Sequence, residues 1–338
     1  MKKSERLLAE KFLLQCIFEE DPDFVDRTMV EFSVSRSTVY NYINTLQKNG
    51  ELERVGGSMP YRIVYRTSRV TIDTSKETDE ERVYSRDIAP LLANLTPSTQ
   101  KIWRYAITAM LNNAFEHANA SAVVVVVSQS RLSTIVAIID NGVGIFRRIR
   151  QLQKDRTGEM ITATEAAALL YPGKYTGDPE NHAGQGIFFA SRMMDHFAIR
   201  SDEVLFTNDE DEFGGRSPEQ YRGTAVQMAL SSDSTREMGE VLARYVDPAL
   251  GFVRTELPIA RMIDSSFPVS RAEAKRLAAM LSDFVDVELD FAGVEDVGPD
   301  FLHELLVVQR KNRPALNFTA KNASERVAAA LSRAGLQV

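Results

Sequence analysis

Apolar side chains recur at helical spacing through the first part of the chain. In LLAEKFLLQCI, near the N-terminus, apolar residues recur every three or four positions, which is typical of an amphipathic helix. Two more helices are predicted over 24–32 and 35–49, and the second carries Val39, Ile43 and Leu46 on one apolar face. The stretch ELERVGGSMPYRIVYR then predicts two strands joined by a Gly-Gly turn. The pattern therefore indicates a small helical segment that ends in a hairpin.

Helical and strand-like patterns alternate through the middle of the chain. A polar, charged stretch over 67–97 turns helical towards its end, and we expect it to be a connector. Apolar, β-branched runs at 122–127 and 134–139 predict two strands, because such residues favour a buried sheet. Further helices are predicted over 98–118 and 186–197, and further strands over 198–206 and 224–230.

The last part of the chain repeats a strand and helix rhythm. Helices are predicted over 270–284, 301–310 and 324–334, and strands over 287–291 and 315–319. Taken together, the patterns predict an α/β protein of several domains. The predicted parts are an N-terminal domain over 1–66, a connector over 67–97, a central domain over 98–232 and a C-terminal domain over 252–338.

The composition narrows the class of protein. A chain of 338 residues is longer than one ordinary hydrophobic core requires, which agrees with two or three domains. No apolar run approaches the roughly 18 residues that span a bilayer, and the single cysteine, Cys16, cannot form an internal disulfide. We therefore expect a cytoplasmic protein with no membrane partner. The net charge of −7 disfavours non-specific nucleic-acid binding by the whole molecule but leaves room for a local basic surface.

Two motifs in the central domain suit a metal ion and a base. In MLNNAFEHA, Asn113 and His117 stand one helical turn apart, and an Asn amide oxygen is a hard ligand that suits Mg²⁺. In DNGVGI, Asp140 directly follows an apolar strand, where its carboxylate can accept the exocyclic amine of adenine. Gly142 and Gly144 allow a tight backbone turn beside the base.

Two further motifs suit the rest of a nucleotide. HAGQGIFF sets glycines at the start of a predicted helix, where backbone N–H groups and the helix dipole favour phosphate oxygens. The residues concerned are Gly184, Gln185, Gly186 and Ile187. Thr224 opens the last strand of the domain, and its hydroxyl could reach adenine or a water bound to it. Each motif alone is common turn chemistry.

In this order, the four motifs resemble the N box, G1 box, G2 box and terminal threonine motif of the GHKL ATPases, the superfamily of DNA gyrase, MutL and histidine kinases. The resemblance implies a Bergerat fold, an α/β sandwich in which ATP lies between a mixed sheet and a layer of helices. It implies that Asn113 holds Mg²⁺, that Asp140 holds adenine and that Gly184 and Gly186 meet the phosphates. A lid over about 155–183 would cover ATP. Lys174 would be the lid's phosphate partner, or else an ordinary solvated lysine.

One position departs from the family pattern. In members that hydrolyse ATP, a glutamate four residues before the magnesium-binding Asn activates water, and that position here is Ala109. Glu116 stands about two turns further along the helix, roughly 10 Å away, which is too far to serve in the same pose. A missing general base costs about 10²–10⁴ in rate. Either the chain binds ATP without efficient hydrolysis, or the alanine replaces a native glutamate.

The N-terminal domain resembles a winged helix-turn-helix, because FSVSRSTV matches the turn into a recognition helix and a hairpin follows. The outward face of the third helix is predicted to be polar and able to meet the phosphates and base edges of double-stranded DNA. The residues on it are Arg36, Ser37, Tyr40, Asn41 and Asn44. A fold of this kind used only for protein contacts is the alternative.

The C-terminal domain, with VELDFAGVEDVGPDFLHELL, resembles a small STAS-like α/β domain, the fold of anti-sigma-factor antagonists. The loop that carries a phosphorylated serine in that family reads Gly298-Pro299-Asp300 here and has no hydroxyl group. The resemblance therefore implies a fixed regulatory module that contacts a protein partner.

The combined resemblance implies a bacterial transcription or signalling regulator, a homodimer in which ATP changes what the winged helix binds. Two other hypotheses stay open. One is an anti-sigma-type serine protein kinase that acts on a separate partner, because phosphoryl transfer depends mainly on positioning and metal. The other is a hydrolysing conformational ATPase like MutL or gyrase, if Ala109 replaces a glutamate.

Overall fold

The structure, a computed structural model, describes residues 3–57, 59–175, 184–209, 216–263 and 265–337. The chain divides into two compact units. The N-terminal unit comprises 1–69, 126–136 and 229–234, and the main unit comprises 70–125, 137–228 and 235–338. The protein is of the mixed α/β class, as the alternating pattern predicted. Within the described ranges, no helix is long and apolar enough to cross a membrane.

Three helices and a hairpin form the first part of the N-terminal unit. They are α1 (Lys3–Phe18), α2 (Phe24–Phe32), α3 (Arg36–Lys48), β1 (Leu52–Arg54) and β2 (Tyr61–Ile63). The side chain of Ser35 accepts a hydrogen bond from the backbone N–H of Thr38 and so fixes the start of α3. Val39, Ile43 and Leu46 are buried, as their spacing predicted. β1 and β2 pair antiparallel, which gives the predicted strand, turn and strand.

The turn at 130–132 belongs to the same unit. Leu132 is buried in the apolar core that α1 and α3 share. Beside it, the guanidinium of Arg131 lies 3.0 Å from the carboxylate of Glu10 and 3.4 Å from that of Glu51. Glu10 is only 5% exposed, and Arg6 gives it a second ion pair at 2.7 Å. A buried carboxylate requires such partners, so the turn and the helical segment are tied together.

Five strands form the largest sheet. They are β3 (Arg66–Asp73), β4 (Ala122–Gln129), β5 (Ser133–Asp140), β6 (His196–Thr207) and β7 (Arg216–Ser231). Their order across the sheet is β3-β4-β5-β7-β6, and they run antiparallel. Along β5, buried side chains alternate with half-buried ones, because successive residues of a strand point to opposite faces.

Two predictions about this sheet are wrong. The family resemblance implies a mixed sheet, whereas the five strands here are antiparallel, with β4 beside β5 and β6 beside β7 as consecutive neighbours. Residues 66–73 are predicted to lie in or beside a polar connector, but they form the edge strand β3. Ile72 is the one residue of β3 that is buried, so the strand carries too little apolar character for its pattern to be noticed.

Helices accompany this sheet in the main unit. They are α4 (Glu80–Val83), α5 (Pro97–Glu116), α6 (Ile145–Thr157), α7 (Ala163–Ala168) and α8 (Gly186–Met193). A π-helical turn over Tyr84–Ile88 and a 3-10 turn over Ala89–Leu92 continue α4. The long helix α5 begins where the side chain of Thr96 accepts a hydrogen bond from the N–H of Thr99.

α8 is shorter than predicted, because it ends at Met193 and not at Phe197. The side-chain amide of Asn208 donates to the carbonyl of Ser191 at 2.8 Å and to that of Met194 at 3.3 Å. Its oxygen accepts the N–H of Phe197 at 2.7 Å. The Asn208 amide thus forms hydrogen bonds with backbone groups that would pair within the helix if it continued. The helix ends here, and the chain continues as β6.

The end of the main unit holds a small parallel sheet. Before it come α9 (Met238–Tyr245), β8 (Val246–Asp247) and β9 (Gly251–Phe252). The sheet has the order β10-β11-β12, with β10 (Arg254–Pro258), β11 (Asp286–Asp290) and β12 (Asn317–Lys321). The helices of this part are α10 (Ile259–Ile263), α11 (Arg271–Ala279), α12 (Pro299–Leu302), α13 (Gln309–Asn312) and α14 (Glu325–Arg333), with a π-helical stretch over His303–Val308 between α12 and α13. The predicted alternation is present, and β10 is a further strand that the pattern did not indicate.

Gly223 lies in β7 beside the end of β5, and its φ is +95°. A Cβ atom there would stand 2.2 Å from the carbonyl oxygen of Asp140. We predict that Gly223→Ala destabilises the fold by about 1–3 kcal/mol more than Gly158→Ala. Both variants strain a backbone with positive φ, but only the new Cβ at 223 also overlaps the carbonyl oxygen of Asp140. Gly158 is a matched control, since its φ is +79° and no atom lies within 4 Å of an added Cβ. Urea denaturation of both variants measures the difference in the free energy of unfolding. An equal loss of stability in the two variants would contradict the close approach of residue 223 to Asp140.

Candidate nucleotide-binding site

A cavity of about 940 Å³ lies within the main unit. Small-molecule sites are typically about 300–1,000 Å³, so the space is large enough for a nucleotide. Its walls come from α5, the end of β5, the first turns of α6, the start of α8 and β7. The predicted residues that line it are Asn113, His117, Asp140, Gly144, Gly184, Gln185, Gly186, Ile187 and Thr224. All four motifs therefore face one space although they are far apart in the chain.

One face of α5 forms a long wall of this cavity. Most of the lining residues stand three or four apart, as one helical face requires. They are Tyr105, Thr108, Ala109, Asn112, Asn113 and Glu116, followed by His117 at the helix end, and Met110 and Ala114 beside this face also reach the lining. Trp103, Ile107 and Leu111 lie on another face and are fully buried, which fixes the rotation of the helix about its axis. Asn113 is thereby directed into the cavity.

The carboxylate of Asp140 is held by the backbone at the end of β5. It is 5% exposed, and its Oδ1 accepts hydrogen bonds from the N–H of Gly142 at 2.8 Å and of Thr224 at 3.3 Å. Burial raises the pKa of this carboxyl group, and hydrogen bonds from Gly142 and Thr224 oppose the rise. A fixed acceptor at a cavity wall suits the amino group of a ligand.

The backbone beside Asp140 packs too closely for side chains at its glycines. A Cβ at Gly142 would stand 2.1 Å from the carbonyl oxygen of Ala118, and a Cβ at Gly144 would stand 2.6 Å from Oγ of Ser201. Gly144 also has a φ of +87°. Gly144 lines the cavity, whereas Gly142 does not. Gly142 instead allows the turn after β5 to approach the end of α5.

The start of α8 offers backbone N–H groups to the cavity. Gly186 is the first residue of the helix, and Gln185 precedes it. Gly184 has a φ of +67°, and a Cβ there would stand 2.5 Å from the carbonyl oxygen of Tyr175. The first N–H groups of a helix have no partner within it, and the dipole is positive there, so this end favours an anion. His182 and Ala183 of the predicted motif lie outside the described residues.

Ala109 lies where α5 meets the start of α8. A Cβ on Gly186 would stand 3.2 Å from the Cβ of Ala109, so small residues at both positions allow the two helices to pack closely. Position 109 faces the cavity but offers no proton acceptor. The other carboxylates in the described lining, apart from Asp140, belong to Glu80 of α4 and Glu116 of α5.

Lys174 is not in the cavity lining, although it is predicted to bind phosphate. Its ammonium group donates to the carbonyl oxygen of Asp283 at 2.7 Å. It also lies over the rings of Phe284 and Phe252, 4.5 Å and 5.4 Å from their centres. Burial lowers the pKa of this lysine. The structure thus places the side chain of Lys174 against the C-terminal part of the chain and outside the described cavity lining, although the Lys174 backbone lies beside Gly184.

The same C-terminal part covers the apolar side of α8. The rings of Phe188 and Phe189 lie 4.9 Å and 5.0 Å from that of Phe252. Near the end of α8, the guanidinium of Arg192 lies 3.4 Å from the carboxylate of Glu256 on β10. The position of α8 therefore depends on residues that follow the central domain in sequence.

The residues present fit a magnesium ion that arrives with a nucleotide. Within the described ranges, no group of three or more His, Cys, Asp or Glu residues could hold a metal. Mg²⁺ commonly uses only one or two protein ligands and completes its shell with phosphate oxygens and water. Asn113 can supply one such oxygen, and the start of α8 lines the same cavity.

Sequence reasoning missed Glu80, Tyr175 and Arg148, which also line the cavity. No local motif marks the first two, because they reach the cavity from separate segments. A signal for Arg148 did exist. Ile145 and Arg148 are three residues apart at the start of a helical stretch, so they share a face directly after the DNGVGI motif.

The predicted DNA-contacting residues all lie exposed on α3 of the N-terminal unit. They are Arg36, Ser37, Tyr40, Asn41 and Asn44. Arg36 forms an ion pair with Asp26, so part of its charge is already balanced. The buried stripe on the opposite side of α3 leaves these groups facing outward.

Comparison with known proteins adds no family assignment. No protein-family model matches the chain, and no curated protein matches its sequence. The resemblance to the GHKL ATPases therefore rests on the four motifs.

We predict that Asp140→Asn unfolds at the same temperature as the unsubstituted chain or a higher one at pH 7.5, and that it loses the thermal shift caused by Mg-ATP. Burial raises the pKa of the Asp140 carboxyl in the folded state, so its charged form costs stability at neutral pH, and an amide removes that cost. The difference should shrink as pH falls through the raised pKa, because Asp140 then becomes protonated.

Asp155→Asn makes the same change at an exposed position of α6 and should keep the nucleotide shift. Differential scanning calorimetry with and without Mg-ATP measures both effects. If Asp140→Asn kept the thermal shift caused by Mg-ATP, Asp140 would not be part of the nucleotide-binding site.

Proposed function

We propose that this chain is a Mg-ATP-binding regulator of the GHKL type. The observation that carries the proposal is that Asn113, Asp140, Gly186 and Thr224, one from each motif, line a single cavity. Turn motifs without a shared role are not expected to line the same cavity. The α/β class is compatible with this proposal. The antiparallel large sheet departs from the mixed sheet that the family resemblance implies, so the four motifs and not the sheet carry the proposal.

Each end of the cavity has a chemistry that suits one part of ATP. The fixed carboxylate of Asp140 accepts the exocyclic amine of adenine, and the backbone at Gly144 leaves room beside the base. The start of α8 offers N–H groups to the phosphates. Asn113 would hold Mg²⁺, which neutralises phosphate charge when bound. The contribution of the chain itself is to orient the nucleotide and to exclude water from the base.

In this proposal, the protein binds ATP as a regulatory ligand and does not hydrolyse it efficiently. The support is the absence of a proton acceptor at Ala109, combined with the close contact between Ala109 and Gly186. Because Ala109 stands close to Gly186 of α8 and also lines the cavity, we expect a longer side chain at 109 to extend into the cavity. We infer that ATP binding, not turnover, sets the state of the protein.

The partner that nucleotide regulates is, in this proposal, double-stranded DNA bound by α3, and the working form is a homodimer. The support is the outward polar face of α3. The coupling in this proposal runs along β5, which begins at Ser133, two residues after Arg131, and ends at Asp140. Arg131 pairs with Glu10 and Glu51 of the helical segment. ATP can shift DNA affinity only if two conformations bind ATP unequally.

We predict that Ala109→Glu gives measurable ATP turnover, because it places a carboxylate one turn before Asn113 on the cavity face of α5. The expected gain in phosphate release is about 10²–10⁴. Ala109→Gln is the matched control, since it has the same size and no general base. Phosphate release at saturating Mg-ATP compares them. Equal rates for both variants, with ATP still bound, would mean that the site cannot position a water molecule.

We also predict that Asn41→Ala weakens specific DNA binding by about 1–3 kcal/mol, because an Asn side chain can read a base edge. Asn49→Ala, at the exposed end of α3, should change it by less than about 0.5 kcal/mol. Selection of bound genomic fragments supplies the target, and titrations with and without Mg-ATP measure the affinity. No enriched sequence in either state would favour protein contact as the use of the N-terminal unit.

A further inference from the structure

Arg148 is a cavity residue that lies outside all four motifs. It shares one face of α6 with Ile145, Ile149 and Leu152, which line the cavity too. Among the residues that the structure describes, it is the one arginine or lysine in that lining. Its guanidinium is therefore the permanent positive charge that the described cavity wall contributes.

Tyr175 connects Arg148 with the start of α8. The hydroxyl of Tyr175 donates to the carbonyl of Ile149, the neighbour of Arg148, at 3.4 Å. Burial raises the pKa of Tyr175, and the charges of Arg156 and Arg148 oppose that rise, so Arg148 lies within electrostatic reach of the ring. The carbonyl of Tyr175 in turn packs against Gly184, where a Cβ would stand 2.5 Å away. Arg148, Tyr175 and Gly184 thus belong to one end of the cavity.

The charges of the cavity lining favour a cation beside a bound polyphosphate. The described lining holds the carboxylates of Glu80, Glu116 and Asp140 and the guanidinium of Arg148. Carboxylates repel a polyphosphate, and the repulsion is stronger in a partly enclosed space than in bulk water. A polyphosphate can therefore be held where Arg148 and the N–H groups of α8 outweigh these carboxylates.

We propose that Arg148 binds the polyphosphate tail of the nucleotide and makes the site selective for nucleoside di- and triphosphates over nucleosides. The inference rests on the proposed function and deepens it. A guanidinium can donate two parallel hydrogen bonds to phosphate oxygens, which suits this role. Arg148 takes the part that the sequence suggests for Lys174, because the Lys174 ammonium donates to the carbonyl of Asp283.

Titration calorimetry of the full chain with ATP, ADP and adenosine, each with Mg²⁺, tests the assignment. Arg148→Ala should weaken ATP and ADP binding by about 10–100-fold, as for a lost charge-assisted hydrogen bond, and adenosine binding by less than about threefold. Arg148→Lys should retain part of the affinity for ATP and ADP, because lysine keeps the positive charge but cannot donate two parallel hydrogen bonds. Arg147→Ala is the matched control, because that arginine pairs with Asp202 and does not line the cavity.

ATP affinity in Arg148→Ala within about threefold of the unsubstituted chain would overturn the assignment. An equal loss for adenosine would also overturn it, because Arg148 would then shape the base end. Arg148→Gln, measured in parallel, and thermal unfolding without nucleotide identify any variant that is misfolded. Failure of the unsubstituted chain to bind ATP, ADP or adenosine would instead overturn the proposed function, and this measurement comes first.

Discussion

The buried carboxylate of Asp140 is the constraint on which the cavity depends. Its Oδ1 accepts the N–H groups of Gly142 and Thr224, so the turn after β5 and the strand β7 must meet at this atom. Oγ1 of Thr224 accepts the N–H of Ile145 at 3.1 Å, which ties the first residue of α6 to the same point. One side chain therefore fixes two strands and the start of a helix. Burial of this charge costs stability, and such carboxylates are frequent at functional sites, which supports the role that we propose for Asp140.

The end of the cavity where we propose that the phosphates bind depends on a different kind of contact. α5 and α8 approach closely because Ala109 and Gly186 are both small. The same alanine leaves this position without a proton acceptor, so the residue that permits close packing also supports the proposal that ATP is bound without efficient turnover. α8 is further supported through Phe188 and Phe189, which pack on Phe252. The C-terminal part of the chain therefore helps to position α8, whose first residues line the cavity.

The sequence predicts those parts of the site that lie within short motifs. Asp140 follows an apolar strand and Gly186 opens a helix, and each is evident from its immediate neighbours. Arg148 and Glu80 enter the cavity through packing between elements, which no local pattern records. The partner of Lys174 is a backbone carbonyl more than a hundred residues further along the chain, and no feature of the loop indicates it. The edge strand β3 has one buried residue, Ile72, so its sequence carries too short an alternating apolar pattern to predict a strand.

We propose that Asp140 selects adenine in a site that binds nucleoside triphosphates. The most direct test is titration of the unsubstituted chain with Mg-ATP and with Mg-GTP under the same conditions. Guanine carries a carbonyl oxygen where adenine carries its exocyclic amine, so it presents an acceptor to an acceptor. The account predicts saturable binding of ATP and an affinity for GTP that is lower by about 10-fold or more, as expected when a buried polar group is left unpaired. Equal affinity for both nucleotides, or no binding of ATP, would contradict it.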